Sequence, residues 1–224
     1  MLRYPCLVLD HDDTVVASEA SVNYPCFLRS LRHFRPGSWM NHDNFSRWCF
    51  DPGFVPMLQI LYGFTDEELD GEYQMWKDYA AAHLPPAYPG MKELIQCQQA
   101  LGGKVCVVSH SSSQTILRDY RTHFDTVPDR IFSWDDPAPQ RKPSPYPIRT
   151  IMEEFGCTAD ELLVVDDLKP GYDMARAAGV KIAYAGWGHK NAPEIAALME
   201  KWCDYSFDSM EKFTEFLFPQ ALNP

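Results

Sequence analysis

The chain has 224 residues, of which 46% are hydrophobic and 13% aromatic, so it can form a packed core and is not expected to be disordered. This length suits one large α/β domain, or a core domain that carries a smaller insert. The net charge of −11, with no long Lys/Arg run and no stretch as long as a membrane span, predicts neither nucleic-acid nor membrane partners.

The first part of the chain begins with a strand and continues with helices. Residues 5–9 are a short apolar run that ends at Asp10, which indicates a buried parallel strand. Thr65 and Glu68 have capping-box spacing and predict the start of a long helix. Other helices are predicted at residues 24–34, 43–50 and 55–62. Because no strand pattern interrupts this stretch, residues 17–87 are predicted to form an all-helical insert.

Strands and helices alternate over the rest of the chain. Strands are predicted at residues 105–108, 130–132, 162–165 and 181–184, and helices at residues 91–101, 113–123, 172–178, 193–201 and 209–217. This alternation predicts an α/β fold with a doubly wound, Rossmann-like parallel sheet. The expected division is a core of residues 1–16 and 88–224, with the helical insert of residues 17–87 following the first strand.

Seven cysteines are scattered along the chain, and no two of them form a Cys-x-x-Cys pair. In a chain of this length, such scattering indicates reduced thiols and not a disulfide framework or a zinc site. Pro5 and Asp10 interrupt any apolar run near the N-terminus, so a signal peptide is not expected. These features predict a cytoplasmic protein, and they leave its oligomeric state open.

Polar side chains follow three of the predicted strands. They are Asp10 and Asp12 after the first, Ser109 after the second, and Asp166 with Asp167 after a third. In an open parallel sheet, ligands bind at the carboxyl ends of the strands, close to the point where the strand order reverses. We therefore expect these side chains to lie around one ligand site.

Asp10 and Asp12 are two residues apart on an extended segment, so their carboxylates can face one ligand. One of them can attack phosphorus and form an aspartyl phosphate, while the other moves protons. The repulsion between them predicts a cation close by. A polar turn after a buried strand explains these two residues equally well when they are taken alone.

Asp166 and Asp167 are adjacent acids at the end of a predicted strand. Mg²⁺ prefers a few carboxylates together with waters and a phosphate oxygen, so the pair predicts a magnesium site shared with the first two acids. The alternative is a helix N-cap, in which Asp167 accepts hydrogen bonds from amides of the next helix. The pair alone does not separate these two interpretations.

Ser109 and the amides that follow it can hold phosphate oxygens at a helix N-terminus, although serine is also a common helix cap. A Ser109 nucleophile paired with His110 is less favoured, because no Gly-x-Ser-x-Gly elbow surrounds it. Lys142 lies in a proline-rich segment that is expected to be a stiffened loop, from which its ammonium could neutralise a phosphoryl group. The alternative is a solvated surface lysine.

Taken together and in this order, these segments resemble the motifs of the haloacid dehalogenase superfamily. The motifs stand at residues 7–14 (LVLDHDDT), 107–109 (VVS), 142–145 (KPSP) and 165–167 (VDD), followed by 177–179 (AAG). The resemblance covers nearly the whole core and is weakest across residues 17–87, which look like the helical cap of this family. Within the family, the arrangement is most similar to phosphoglycolate phosphatases and β-phosphoglucomutases.

The resemblance implies a Mg²⁺-dependent phosphatase that hydrolyses a small phosphorylated metabolite. In that reaction Asp10 would attack phosphorus, and Asp12 would protonate the leaving group and later activate water. Ser109 and Lys142 would bind the phosphoryl oxygens. This work is mainly positioning and charge neutralisation, as in phosphoryl transfer generally.

The resemblance also implies the metal ligands and two further contacts. Mg²⁺ would be held by the carboxylate of Asp10, the main-chain carbonyl of Asp12 and Asp167, with Asp166 close to the ion or bound to it. Two positions that often face substrate in the family, and are therefore candidate phosphate contacts, are occupied by His11 and His110.

Asp13 departs from the family pattern, which usually has glycine or another small residue at this position. An extra acid beside the phosphate could repel the substrate. One alternative function is a phosphomutase, which would share Asp10 and Asp12 but exclude water. Another is a non-catalytic binding or regulatory module. A 2-haloacid dehalogenase is less favoured, because that branch resembles this chain without the second aspartate.

Overall fold

The computed structural model describes residues 2–188 and 192–219. Its strands form one parallel sheet of six strands in the order β3-β2-β1-β4-β5-β6. The strands are β1 (Cys6–Leu9), β2 (Lys104–Val108), β3 (Arg130–Phe132), β4 (Leu162–Asp166), β5 (Lys181–Ala185) and β6 (Tyr205–Phe207). The strand order reverses between β1 and β4, which leaves a crevice at their carboxyl ends.

Ten α-helices are present among the described residues. They are α1 (Tyr24–Phe34), α2 (His42–Phe50), α3 (Phe54–Tyr62), α4 (Asp66–Ala82), α5 (Met91–Ala100), α6 (Ser113–Phe124), α7 (Tyr146–Phe155), α8 (Lys169–Ala178), α9 (Pro193–Trp202) and α10 (Met210–Leu217). The predicted α/β class and doubly wound parallel sheet are confirmed. None of the described helices is both long and apolar enough to cross a membrane.

The sheet carries helices on both faces because its strands are apolar on both sides. Leu7 and Leu9 of β1 point into a core layer formed with α5, α6 and α10. Cys6 and Val8, on the alternate positions, point into the opposite layer, formed with α7 and α8. The period of two along a fully buried strand therefore supplies both hydrophobic layers.

Helices α1 to α4 pack around a separate apolar cluster that includes Phe27, Leu31, Phe45 and Leu58. The predicted capping box is present at the start of α4: the Thr65 side chain accepts the Glu68 amide, and the Glu68 carboxylate accepts the Thr65 amide. No strand longer than an isolated bridge lies between residues 17 and 87, all of which are described. The domain boundaries after residues 16 and 87 stay a prediction.

One α-helix and one strand of the described residues were not predicted from the sequence. Helix α7 begins at Tyr146, inside the segment that the prolines suggested was a loop, and Pro147 occupies its first turn. Proline is tolerated there because the first amides of a helix have no intrahelical partner. Strand β6 has only three residues, and none of them is fully buried, so it lacks the apolar run by which the other strands are identified.

Candidate active site

The carboxyl ends of β1 and β4 place three acids next to one another. Asp10 follows β1, and its amide donates to the carbonyl of Val165 in β4 at 2.8 Å. Asp166 ends β4 and Asp167 follows it. One carboxylate oxygen from each of Asp10, Asp166 and Asp167 lies within 4.8 Å of the other two, and all three side chains are buried. The strand register therefore gathers the acids of two distant motifs.

Lys142 provides the positive charge at this centre. Its Nζ donates to Asp10 Oδ1 at 2.6 Å and to Asp166 Oδ2 at 2.9 Å, and the lysine is buried. The alternative of a solvated surface lysine is therefore wrong. A buried ammonium between two carboxylates compensates part of the charge that burial makes costly.

Burial and mutual repulsion act together on these acids. Burial raises the pKa of Asp10 well above its usual value, with Lys142 opposing and Asp166 adding to the rise. Burial likewise raises the pKa of Asp166 to about 6, again against the effect of Lys142. The clustered carboxylate oxygens of the three acids are of the kind that a divalent magnesium ion requires.

Asp12 lies beside this cluster and forms a different set of contacts. Its carboxylate accepts hydrogen bonds from the hydroxyls of Ser18 at 2.6 Å, Ser111 at 2.5 Å and Ser109 at 3.3 Å, and from Asn23 at 3.2 Å. Burial alone would raise the pKa of Asp12, but the neighbouring His11 and these donors lower it. The side chain is therefore held ionised and oriented. The metal contact from its main-chain carbonyl stays a prediction.

Ser109 and His110 follow β2, and each forms a hydrogen bond to another predicted site residue. The Ser109 hydroxyl bonds to Asp12 and accepts the Ser111 amide at 3.1 Å. The Nε2 of His110 donates to the main-chain carbonyl of Lys142 at 2.9 Å. Desolvation of the ring and the charge of Lys142 lower the pKa of His110, so the imidazole is neutral at neutral pH. His110 thus fixes the loop that carries the buried lysine.

His11 is the predicted site residue whose side chain contacts none of the other predicted ones. Its ring is fully buried, and Nε2 bonds to Asp119 Oδ2 of α6 at 3.0 Å. This contact holds the ring inside the protein, in the loop of residues 10–14 that follows β1. No contact within the described residues supports the predicted role of His11 in phosphate binding.

Asp13 has a structural explanation. Its backbone is left-handed, with φ of 53°, a conformation in which glycine is least strained and which Asp and Asn tolerate better than most other residues. Its carboxylate accepts the Glu19 amide at 2.7 Å and the Tyr88 hydroxyl at 3.1 Å. These bonds tie the extra acid to the surrounding fold.

Several residues around the site were not predicted from the sequence. Ser111, Ser18 and Asn23 bond to Asp12, and the Thr14 hydroxyl donates to Asp167 at 3.3 Å. Gly171 on α8 leaves room for Asp166, since a Cβ at this position would overlap the carboxylate. The sequence signals for them were the serines at positions 111–113, after Ser109, and the place of Thr14 in the first motif.

A family model described as haloacid dehalogenase-like hydrolase matches residues 7–185, which include the loop of residues 10–14 and the other motifs. The chain belongs to this family. The predicted family is therefore confirmed. The haloacid dehalogenase motifs also account for the order in which Asp10, Ser109, Lys142 and the Asp166–Asp167 pair occur along the chain.

Curated relatives of this haloacid dehalogenase-like chain include phosphatases. A phosphoglycolate phosphatase from Pseudomonas savastanoi pv. phaseolicola is 27% identical over 140 residues, which cover 59% of this chain and 50% of the relative. The match thus spans half of the length of that phosphatase. The pyrophosphatase PpaX from Halalkalibacterium halodurans is 23% identical over 182 residues, covering 81% of this chain and 83% of the relative.

Solved structures share the haloacid dehalogenase fold. A haloacid dehalogenase-like hydrolase from Bacteroides fragilis superposes with a TM-score of 0.77 at 21% identity, covering 94% of this chain and 99% of the other. CbbY from Rhodobacter sphaeroides, in complex with xylulose-(1,5)-bisphosphate, gives a TM-score of 0.72 at 16% identity over 93% and 95% of the two chains. At these identities, the similarities show the fold.

Proposed function

We propose that the protein is a Mg²⁺-dependent phosphatase that hydrolyses a small phosphorylated metabolite through an aspartyl phosphate on Asp10. The observation that carries this proposal is the buried cluster of Asp10, Asp166 and Asp167 with Lys142 hydrogen-bonded to two of its carboxylates. A purely structural role would leave three carboxylates buried side by side, an arrangement that costs stability without an evident gain. In phosphoryl transfer, acids placed in this way hold the metal ion.

The three carboxylates would hold the magnesium ion, with the carbonyl of Asp12 as a further ligand. When bound, Mg²⁺ neutralises charge on the phosphoryl oxygens. Lys142 would neutralise the charge of the phosphoryl group from the other side, and Ser109 would donate a hydrogen bond to it. Lys142 and Ser109 would position the phosphorus atom for attack without themselves forming bonds to it.

Asp10 would attack phosphorus in line with the leaving oxygen, forming an acyl phosphate. Asp12, which is ionised in the free protein, would have to take up a proton before it protonates the departing alkoxide, and it would then accept a proton from the water that attacks the phosphoaspartate. The second step returns Asp10 as a carboxylate and releases phosphate. The hydroxyls of Ser18 and Ser111 would keep the Asp12 carboxylate oriented through both proton transfers.

Residues 17–87 would act as a cap over this centre, with residues 1–16 and 88–224 as the core. Contacts from the helical segment to the rest of the chain support this role. The Tyr73 hydroxyl donates to Asp135 at 2.8 Å, and the Phe50 ring stacks on Trp202 with 5.9 Å between centroids. A cap closed by such contacts would exclude bulk water from the phosphoaspartate and select the substrate.

The relatives indicate the class of substrate. They are named as phosphatases of phosphoglycolate or pyrophosphate, and the CbbY structure holds a sugar bisphosphate. All three are small and strongly anionic. We therefore expect a small phosphorylated metabolite in this site, in a cytoplasmic setting, with no nucleic-acid or membrane partner.

A screen of phosphorylated metabolites tests this proposal, with free phosphate measured in the presence of Mg²⁺ and again with excess chelator. The expected result is phosphate release from one chemical class of substrate that stops when the metal is removed. Isomerisation of a sugar phosphate without phosphate release would favour the phosphomutase alternative. No turnover of any metabolite or of a generic aryl phosphate would overturn the enzymatic proposal in favour of a binding module.

A further inference from the structure

A buried histidine–aspartate pair anchors the loop that follows β1. The side chains of His11 and Asp119 are 1% and 0% exposed, and His11 Nε2 donates to Asp119 Oδ2 at 3.0 Å. His11 stands between Asp10 and Asp12 in the chain, and its own carbonyl accepts the amides of Val15 and Val16. Its side chain and main chain together therefore determine how the loop leaves β1.

The same Asp119 carboxylate binds Arg118, and Arg118 reaches the long helix of the helical segment. Arg118 Nε lies 2.7 Å from Asp119 Oδ1, and Nη2 lies 2.6 Å from the same oxygen. Arg118 Nη1 donates to the carbonyl of Ala80 in the last turn of α4. The last carbonyls of a helix lack intrahelical partners and carry partial negative charge, so a guanidinium is favourable there.

Helix α4 also approaches the loop from its other side. The Trp76 indole donates to Asn23 at 2.9 Å, and Asn23 donates to Asp12 at 3.2 Å. Two hydrogen-bonded routes therefore join α4 to consecutive loop residues, one through Asn23 to Asp12 and the other through Arg118 and Asp119 to His11. A shift of α4 would be transmitted to the loop from both sides.

We infer that His11, Asp119 and Arg118 form a positioning network that couples α4 to the orientation of the Asp10 and Asp12 carboxylates. The inference rests on the proposed function, because it concerns the residues that would perform that reaction. None of the three contacts the reacting groups, so they act through the loop. Displacing a reacting group by about 1 Å can cost on the order of 100-fold in rate.

Kinetics of variants on the core side of the network test this inference, with an aryl phosphate and Mg²⁺ as the assay. Asp119→Asn keeps the size of the side chain but removes its charge, and Arg118→Met removes the guanidinium. Both should lower kcat by on the order of 10- to 100-fold while KM changes less than about twofold. Arg118→Lys should recover part of kcat. Arg121→Met, on the exposed side of the same helix, is the matched control and should leave kcat unchanged.

Hydrogen–deuterium exchange gives a readout that does not depend on turnover. In Asp119→Asn, the amides of residues 10–16 should exchange at least roughly tenfold faster than in Arg121→Met. The amides of the six strands should keep their protection against exchange. If Asp119→Asn does not fold, the same comparison is made with Arg118→Met.

The outcomes separate this inference from the proposed function. Unchanged kcat and unchanged exchange in the Asp119 and Arg118 variants would overturn the network while leaving the phosphatase intact, as would a rise in KM with kcat preserved. An inactive wild-type protein would overturn the proposed function. In that case exchange in residues 10–16 alone decides whether the network holds the loop.

Discussion

Two regions of the molecule bury carboxylates, and the negative charge is compensated differently in each. At the edge of the sheet, Asp10, Asp166 and Asp167 lie together, and Lys142 is bonded to two of them. In the helical segment, Glu72 of α4 is 4% exposed and receives a hydrogen bond from the Ser30 hydroxyl at 3.2 Å. No ion pair within residues 2–188 and 192–219 involves Glu72.

This difference shows that the surroundings of a buried acid indicate whether it belongs to a functional site. Burial raises the pKa of Glu72 to about 7, so near neutral pH this group avoids much of the cost of burial by taking up a proton. The acids at the sheet edge lie close to a buried lysine instead, and their carboxylate oxygens could hold a metal ion. Concentrated and partly compensated charge indicates a functional site, whereas an isolated carboxyl that can neutralise itself does not.

The largest expected effect comes from removing the proposed nucleophile. Asp10→Asn keeps the shape of the side chain but eliminates the carboxylate that is proposed to attack phosphorus, so turnover of an aryl phosphate should fall at least about 1,000-fold. Phosphate release measures the loss, and circular dichroism should show an unchanged fold. Activity that survives the substitution would mean that another group attacks phosphorus.

Lys142→Met removes the compensating charge at the sheet edge and so tests what that charge contributes to stability. Asp10 and Asp166 would lose their shared partner, so without metal the free energy of unfolding should fall by about 3 kcal/mol. Mg²⁺ should recover much of this loss, as measured by denaturant melts with and without the ion. The matched control, Lys92→Met, breaks an exposed pair with Asp125 and should cost less than about 1 kcal/mol. Equal losses in the two variants would contradict a special role for the buried charge.

Gly171→Ala tests whether the acid centre depends on the helix packed against it. The added Cβ would overlap the Asp166 carboxylate and push it from its place. The apparent affinity for Mg²⁺, read from the metal dependence of turnover, should weaken roughly 10-fold or more. Ala177→Gly on the exposed side of α8 changes helix propensity without touching Asp166, and should leave metal dependence unchanged.

The smallest effect is expected at Glu72. Its pKa is 4.5 in the unfolded chain and about 7 in the folded protein, so the folded state holds more protons between these values. The stabilisation that Glu72 contributes as a neutral group is therefore complete below pH 4.5 and is lost as the pH rises through about 7. Glu72→Gln removes this dependence of stability on pH. It also buries an unsatisfied amide, which costs part of the gain, so the net stabilisation should be about 1 kcal/mol at pH 8.5.

Thermal melts at pH 5 and pH 8.5 measure this change. The stabilising effect should disappear or reverse at pH 5, where Glu72 is already protonated. Glu67→Gln, at an exposed position of the same helix, is the control and should show no such pH dependence. A Glu72 variant with the same stability difference at both pH values would show that this carboxyl stays charged.

Much of the fold could be predicted because the local signals are strong. Strands such as β1 and β4 are short apolar runs that end in acids, and the capping box at Thr65 predicted the start of α4. Helix α7 was missed because the prolines at its start also suit a loop. Strand β6 was missed because its pairing with β5, and not its composition, defines it.

The candidate site was only partly predictable, for a geometric reason. The strand-end rule indicates which residues reach the same edge of a sheet, and it identified Asp10, Ser109 and Asp166. It does not indicate where a side chain points. The hydroxyl of Ser111 was therefore overlooked, although it bonds to Asp12. His11 was predicted as a phosphate contact from the family resemblance, and its ring bonds to Asp119.

A crystal structure grown with Mg²⁺ and beryllium fluoride, a mimic of the phosphoryl group, tests the central claim most directly. The account predicts one cation at about 2.1 Å from oxygens of Asp10 and Asp167, with the beryllium fluoride bound to the Asp10 carboxylate and contacted by Lys142. A cation bound elsewhere, or beryllium fluoride attached to a side chain other than Asp10, would contradict it.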